Sequence, residues 1–367
     1  MGGLRRKNMK SNALIAMSGG VDSSVAALLM QEQGYHCTGV TMKLFNNEDI
    51  GLPVMDSKCC SLDDIQDAKS VCGKMGMEHF TFNYGDRFRK EVIDRFINAY
   101  MHGMTPNPCI DCNRYLKFGE LFDKAKEIGC DYVVTGHYAR IQYDESKGRY
   151  LLLKAVNPEK DQSYVLYSMT QQQLAHVQFP LGSLSKPEVR AIAEKHGFVT
   201  AHKHDSQDIC FIQNGTTYAD FIEQRTGRKF PPGNFVDTKG SILGRHKGII
   251  HYTIGQRKGL GLALPQPMYV QHIDVKRNEV VLSTNEELFT STLTATDINL
   301  IDCERITEPR RVKARIRYHH AEQWATVTQP DDNTLQIVFD EPQRAITKGQ
   351  AVVMYDGDVV VGGGRII

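Results

Sequence analysis

Two groups of residues in this chain have types and spacings that could do chemistry. The first is the loop Ser18-Gly19-Gly20-Val21-Asp22-Ser23-Ser24. Its glycines let backbone N–H groups approach phosphate oxygens without a Cβ clash. Ser23 and Ser24 add hydroxyl donors, and a helix starting there would supply positive partial charge. Asp22 stands where it can cap that helix or help hold a magnesium ion carried by phosphates. No Gly-Lys-Ser/Thr closes the loop, so it is not a Walker loop. A bare Ser-Gly-Gly would read equally as an ordinary turn; the full run after a first strand reads as a nucleotide loop.

The second group is the cysteines. Cys109 and Cys112 form a Cys-x-x-Cys in Met104-Thr105-Pro106-Asn107-Pro108-Cys109-Ile110-Asp111-Cys112-Asn113-Arg114. The two prolines predict an extended, shaped loop rather than a helix interior, and the cation Arg114 favours thiolate. Cys210 lies in His202-Lys203-His204-Asp205-Ser206-Gln207-Asp208-Ile209-Cys210-Phe211, where two histidines and a lysine could do the same. Simpler readings stand beside these. A structural zinc site needs four ligands and no second Cys-x-x-Cys exists; Cys59-Cys60 are adjacent and awkward as a chelating pair. Cys210 could be a small buried hydrophobe, the ordinary fate expected for Cys37, Cys72, Cys130 and Cys303.

The elements that must position these groups alternate in the first half of the chain. Strands are expected at 13–17, 36–42, 78–83 and 132–135, and helices at 25–33, 65–75, 87–100 and 118–128. Such alternation predicts an α/β fold with a parallel sheet, which binds ligands beyond the C-terminal ends of its strands. The character changes near Gly215. Residues 225–258 are rich in Gly, Pro and basic residues with weak periodicity. Short β-type runs then follow at 269–273, 279–282, 312–317, 325–327, 335–339 and 351–355, the pattern of a small antiparallel barrel or sandwich.

Composition narrows the function classes. The 367 residues carry 44 Lys+Arg against 43 Asp+Glu, a formal charge of +1, which argues against a basic nucleic-acid coat protein. Two local stretches are nevertheless basic, 225–258 with Asp237 as its single acid and 310–320 with no acid. No apolar run approaches the roughly 20 residues needed to span a bilayer, and the short run after the basic start is too brief for a signal-peptide core. Nine dispersed cysteines, an odd number, in a chain without an export signal favour catalytic or metal-binding thiols over a disulfide framework, and a cytoplasmic location.

The loop resembles that of the ATP pyrophosphatases, which cleave between the α and β phosphates and adenylate a substrate. Further motifs narrow the resemblance: Ala16-Met17-Ser18-Gly19-Gly20-Val21-Asp22-Ser23, Thr105-Pro106-Asn107-Pro108, Cys112-Asn113, Lys117-Phe118-Gly119 and Thr135-Gly136-His137-Tyr138. Lys160-Asp161-Gln162-Ser163-Tyr164, Asp205 to Phe211 and His251 to Gly261 continue it over nearly the whole chain. Together they resemble the tRNA-specific 2-thiouridylases, called MnmA in bacteria and TRMU in mitochondria.

That resemblance implies three domains: an ATP-pyrophosphatase domain (10–214), a small central tRNA-contacting domain (215–285) and a C-terminal antiparallel β-barrel (286–367). It implies ATP with Mg2+, a tRNA anticodon stem-loop with a wobble uridine, and an upstream persulfide donor, either a cysteine desulfurase or a sulfur relay protein. A monomer suffices for the chemistry. In the implied reaction ATP adenylates the C2 oxygen of uracil, a persulfide on Cys210 supplies sulfur, and Cys112 is the second thiol. Ala16, Met17, Ser18, Gly19, Gly20, Val21, Asp22, Ser23, Met42 and Gly136 fall on ATP positions. Asn107, Pro108 and Cys109 fall on the target-base loop, and His137, Lys160, Asp161, Gln162, Arg317, Tyr318 and Gln350 on tRNA contacts. One departure stands out: Cys109 occupies a position where many relatives have an acid/base Asp. Asp111 or its neighbours could supply that function. Cys109, Cys112 and Cys210 could alternatively ligate a [4Fe–4S] cluster with an open position for hydrosulfide. Two other functions stay open, a synthetase that adenylates a small molecule and a non-enzymatic RNA-binding scaffold.

Overall fold

The computed structural model describes residues 11–45, 62–203, 209–212 and 215–367. The described residues fall into two compact units, one from Met1–Arg89 with Cys112–Phe211, the other from Lys90–Asp111 with Ile212–Ile367.

The first unit is built on a parallel sheet. Its strands are β1 (Asn12–Ala16), β2 (His36–Lys43), β3 (His79–Asn83) and β4 (Tyr132–Val134). After β4 come a hairpin, β5 (Ala139–Asp144) and β6 (Arg149–Lys154), and the short β7 (Val177–Gln178). The sheet order is β3-β2-β1-β4-β7, so the chain reverses its direction of travel between β1 and β4. β1 pairs Asn12 with His36 on one side and Ala13 with Tyr132 on the other. Ala13, Leu14 and Ile15 are fully buried, because helices cover both faces of such a sheet. The helix Val21–Glu32 follows β1, and its Val25, Ala26, Ala27 and Met30 join Ile15, Val71, Cys72 and Val189 in one core. The expected α/β fold with a parallel sheet is present, and the nucleotide loop sits at the C-terminal end of β1 where the strand order reverses.

Helix boundaries depart from expectation in one place that matters. Residues 108–127 are helical throughout, as Pro108–Asp111, Cys112–Glu120 and Leu121–Glu127. Sequence reasoning predicted a shaped, extended loop over 104–114 and a helix only from 118. Pro108 instead begins the helix, where its missing N–H costs nothing and its fixed φ suits the first turn. Cys112–Glu120 is wound as a π-helix, with the wider i→i+5 turn.

In the second unit, the helix Tyr218–Thr226 leads into the weakly periodic stretch 225–258, which holds the strands β8 (Gly233–Asp237) and β9 (Ile242–His246). With β10 (Tyr269–Asp274) and β11 (Glu279–Ser283) they make a four-stranded mixed sheet, β11 and β8 running parallel. A barrel follows: β12 (Phe289–Leu300), β13 (Arg310–Arg315), β14 (Gln323–Asp331), β15 (Thr334–Arg344), β16 (Ala351–Asp356) and β17 (Val359–Ile366). They pair antiparallel in the order β12-β15-β14-β13-β16-β17, and β12 with β17 closes the ring. Val312, Ala314, Ala325, Val327, Ile337, Val352 and Met354 fill it, alternating with outward residues as a closed barrel requires. No helix among the described residues is long and apolar enough to cross a membrane.

Candidate active site

The nucleotide loop is shaped by its own hydroxyls. Met17 N–H bonds Val40 O at 2.8 Å, holding the end of β1 in register. Gly19 has φ +71°, and a Cβ there would press into the backbone carbonyl of Asp64. Gly20 is the N-cap, extended and without any side-chain cap. Ser23 Oγ and Ser24 Oγ both donate to Gly20 O, at 3.0 and 2.9 Å, and Ser18 N–H donates to Ser23 Oγ at 3.2 Å. The hydroxyls thus fold the loop, and the helix's first N–H groups are left without a side-chain cap, the arrangement that favours an anion.

Asp22 does not cap the helix as the sequence suggested. Its two carboxylate oxygens receive Lys186 Nζ at 2.7 and 2.8 Å, and Tyr138 OH donates to it at 2.7 Å. Charge explains the difference: a largely buried ammonium is a stronger partner than a backbone N–H. Gly136 is pressed to this pair, since a Cβ there would lie 2.8 Å from Asp22 C and Ser23 N. Met42, on the neighbouring β2, is buried. Sequence reasoning missed Lys186 and the role of Tyr138. Ser185-Lys186-Pro187-Glu188 was legible as a capping box, and the structure has one at that helix start, but nothing local says its lysine meets Asp22.

Around the Cys-x-x-Cys, Asn107 Oδ1 accepts Cys109 N–H at 3.1 Å, fixing the turn into the helix. Cys109 is exposed and Cys112 half-buried. Cys109 belongs to the second unit, whereas Cys112, Cys210 and the nucleotide loop belong to the first. Asp111 is buried and accepts from Arg365 Nη2 at 3.2 Å, so the carboxylate considered for acid/base work is held as an ion pair. Gln350 Nε2 donates to Thr105 O at 2.7 Å and Thr105 N–H to Lys348 O at 2.9 Å. Lys348, Gln350 and Arg365 therefore buttress the predicted target-base loop, a link between distant segments invisible in the sequence.

Beyond Cys112, Asn113 Nδ2 donates to Val165 O at 3.0 Å, leaving its buried Oδ1 without a partner in the protein. Lys117 Nζ lies 3.5 Å from His137 Nε2, and Thr135 Oγ1 lies 2.7 Å from His137 Nδ1. His137 also packs on the rings of Phe118 and Phe179. Burial first, and Lys117 second, hold its pKa well below the ordinary histidine value, so it is neutral. Asp161 is buried too, accepting from Ala155 N–H, Ser163 N–H and Ser163 Oγ, and Gln162 Oε1 accepts Tyr138 N–H at 2.9 Å. Lys160 is half-buried. Arg317 donates to Ala345 O and Thr347 Oγ1, and Tyr318 stands edge-on to His319 at 4.7 Å.

Near Cys210, His204–Asp208 lie outside the described residues, as do Cys59 and Cys60. Cys210 is half-buried, and Phe211 after it packs edge-on against the buried Phe88 at 5.8 Å. The expected support from His202 and Lys203 takes another form. His202 is exposed and faces Glu194 at 3.7 Å. Lys203 Nζ bridges Asp64 Oδ1 at 2.5 Å and Asp67 Oδ2 at 2.7 Å. Partial burial alone would lower the Lys203 pKa, but these two hydrogen bonds outweigh it and raise it.

Of the other described thiols, Cys37 and Cys72 are buried core, whereas Cys130 and Cys303 are half-buried. Burial pushes Cys37 and Cys72 up to about 11. Among the described residues no group of three His, Cys, Asp or Glu side chains could hold a metal ion. The basic run 310–320 is largely paired within the barrel: Arg310 with Asp302 and Asp356, Arg311 with Asp340, Arg315 with Glu322.

Comparison with known proteins gives matches along most of the chain. Three family profiles match: a tRNA methyl transferase HUP domain over residues 11–214, a tRNA methyl transferase PRC-barrel domain over 219–284 and an aminomethyltransferase β-barrel domain over 290–366. The chain is 51% identical to the tRNA-specific 2-thiouridylase MnmA of Acetivibrio thermocellus, over 97% of this chain and 99% of that protein. It is likewise 51% identical to the protein of that name from Clostridioides difficile, over 98% of each.

Proposed function

The chain belongs to the tRNA-specific 2-thiouridylase family, and from that membership we propose how its residues carry out ATP-dependent 2-thiolation of a tRNA uridine. The observation that carries the reading is that a phosphate-binding loop and two accessible thiols, Cys112 and Cys210, belong to one compact unit. Some matching profiles are named for methyl transfer, but a pyrophosphatase-type loop and paired thiols are what sulfur transfer requires.

ATP binds the loop through the N–H groups of Gly19 to Ser23 at the helix start, and Lys186 offers a cation beside the phosphates. Magnesium would accompany the phosphates and neutralise their charge; Asp22 is the carboxylate the loop itself carries, and Lys186 already occupies both its oxygens. The uracil C2 oxygen attacks the α-phosphorus and pyrophosphate leaves, which turns a poor leaving group into a good one. The terminal sulfur of a Cys210 persulfide attacks C2 and AMP departs. Cys112 thiolate then attacks the Cys210 sulfur, leaving the thiocarbonyl on uracil and a Cys112–Cys210 disulfide that a cellular dithiol reduces. The uracil must leave its stack to be reached. The domain division proposed for this work is 10–214 for the nucleotide, 215–285 for tRNA and 286–367 for the barrel.

The test supplies ATP, tRNA and a persulfide donor, then analyses nucleosides by mass spectrometry. 2-Thiouridine should form with one AMP and one pyrophosphate per turnover, and Cys210→Ser should abolish it. Absence of 2-thiouridine with the wild-type protein would overturn the proposal. Undiminished turnover in both Cys112→Ser and Cys210→Ser would point instead to a small-molecule acceptor.

A further inference from the structure

Within the first unit an unbroken chain of hydrogen bonds joins the helix that carries Cys112 to the nucleotide loop. Asn113, next to Cys112 and only 2% exposed, donates through Nδ2 to Val165 O at 3.0 Å. Val165 lies in the short 3-10 turn Ser163–Leu166, and its N–H bonds Gln162 O at 3.1 Å. Gln162 and Tyr138 clasp each other both ways: Gln162 N–H donates to Tyr138 O at 2.9 Å, and Tyr138 N–H to Gln162 Oε1 at 2.9 Å. The buried Tyr138 then donates through its hydroxyl to Asp22 Oδ1 at 2.7 Å, in the first turn of the helix that follows the loop. A second fastening of the Cys112 helix ends beside the same tyrosine, because Lys117 lies 3.5 Å from His137.

We propose that Tyr138 is a positioning residue for sulfur transfer: with its hydroxyl on Asp22 and its main chain clasped by Gln162, it fixes the Cys112 helix against the nucleotide loop. This rests on the thiolation reading above. The sheet pairs β1 with β4 as far as Ile15 and Val134; past those strand ends the Tyr138 hydroxyl bonds one segment to the other. It adds direction rather than neutralisation, because Lys186 already answers the charge on both Asp22 oxygens. The loop sets the α-phosphorus and hence the activated carbon. Sulfur delivered to that carbon stays joined to Cys210 until Cys112 thiolate attacks the Cys210 sulfur. That attack breaks the S–S bond, and its electron pair goes to the sulfur on C2 to give the thiocarbonyl. Cys112 must therefore stand at a set distance from the loop, and a displacement of about 1 Å costs about 100-fold in such a step. Pyrophosphate release comes earlier and needs no thiol.

The experiment measures pyrophosphate release and 2-thiouridine formation side by side in wild type, Tyr138→Phe, Asn113→Leu, the double variant and Cys112→Ser. Tyr138→Phe keeps the ring and removes the bond to Asp22. It should keep pyrophosphate release within about twofold and lose about 10- to 100-fold in 2-thiouridine formation. Like Cys112→Ser, it should accumulate a thiol-reversible protein–tRNA adduct through Cys210. Asn113→Leu breaks the chain at its other end and should show the same defect more weakly. Adding it to Tyr138→Phe should cost less than the product of the two single losses, because links of one chain do not add independently. An equal fall in both rates, no fall in either, or fully multiplied losses overturns the proposal. A second readout does not need tRNA: ATP should slow backbone hydrogen exchange over 112–120 several-fold in wild type and leave it unchanged in Tyr138→Phe. The same ATP response in both proteins also overturns it. Wild-type protein that yields no 2-thiouridine yet shows this ATP response refutes the thiolation reading and leaves the link standing.

Discussion

Gly19 shows how much one backbone angle decides in this loop. Its φ of +71° and its closure on Asp64 leave no room for a Cβ, so Gly19→Ala should cost about 1–3 kcal/mol of stability and abolish ATP use. Thermal unfolding with pyrophosphate assay checks both, and an alanine variant with wild-type melting would contradict the strain. His137 gives a pH prediction. It is neutral in the fold but protonates when unfolded, so below its ordinary value of about 6.5 the unfolded state binds more protons. Stability therefore falls as pH drops through 6.5, by up to about 1.4 kcal/mol per pH unit from this residue. His137→Gln should flatten the melting curve against pH between about 5 and 6.5; His79, His246, His251 and His320, also lowered by burial, leave a residual slope. The thiols should separate by reactivity. Cys109, exposed, should alkylate first in the native protein, while Cys37 and Cys72, buried and pushed up to about 11, stay unmodified until unfolding. Peptide mass spectrometry after brief iodoacetamide treatment reads the order.

Elements were legible in proportion to how local their causes are. The strand–loop–helix from Asn12 to Glu32 follows from an apolar run, glycines and a periodic helix, and the structure repeats it. The barrel strands announced themselves by β-branched residues, though not their full length: the 12-residue β12 was missed because its run of threonines and Asp297 dilutes the apolar signal. The helical winding of 108–117 was missed because two prolines weigh against helix unless one of them is known to be its first residue. The basic run 310–320 stood out as a local patch suited to tRNA, but Arg310, Arg311 and Arg315 in it are paired with acids of the same unit. Hydrogen bonds, first of all to Asp302, raise the pKa of Arg310, and the Asp302 side chain is only 1% exposed. Arg310→Ala would strand that carboxylate and should cost about 3–5 kcal/mol while leaving tRNA affinity of the folded protein unchanged. Urea unfolding beside a filter-binding assay distinguishes this from a nucleic-acid contact.

At the scale of the molecule, a formal charge of +1 leaves no general attraction for a polyanion, so tRNA must be held by local groups. Lys247, Arg257 and Lys258 in the central domain are exposed. Neutralising Arg257 and Lys258 together should lower the slope of log affinity against log salt by about 2, roughly one unit per phosphate contact; an unchanged slope would remove them from the interface. By itself the sequence determined the α/β class, the β-rich second half and, through its motifs, the family, and it pointed to the loop and the two thiols that the proposed function uses. All of these rest on local pattern or on contiguous residues. Only the tertiary structure decided that Lys186 and Tyr138 hold Asp22, that Arg365 holds Asp111, that His137 is buried and that Lys203 grips Asp64 and Asp67. Partners such as Asp22 and Lys186 lie far apart along the chain, and a charge selects its partner by distance and burial in the fold, which no local spacing encodes.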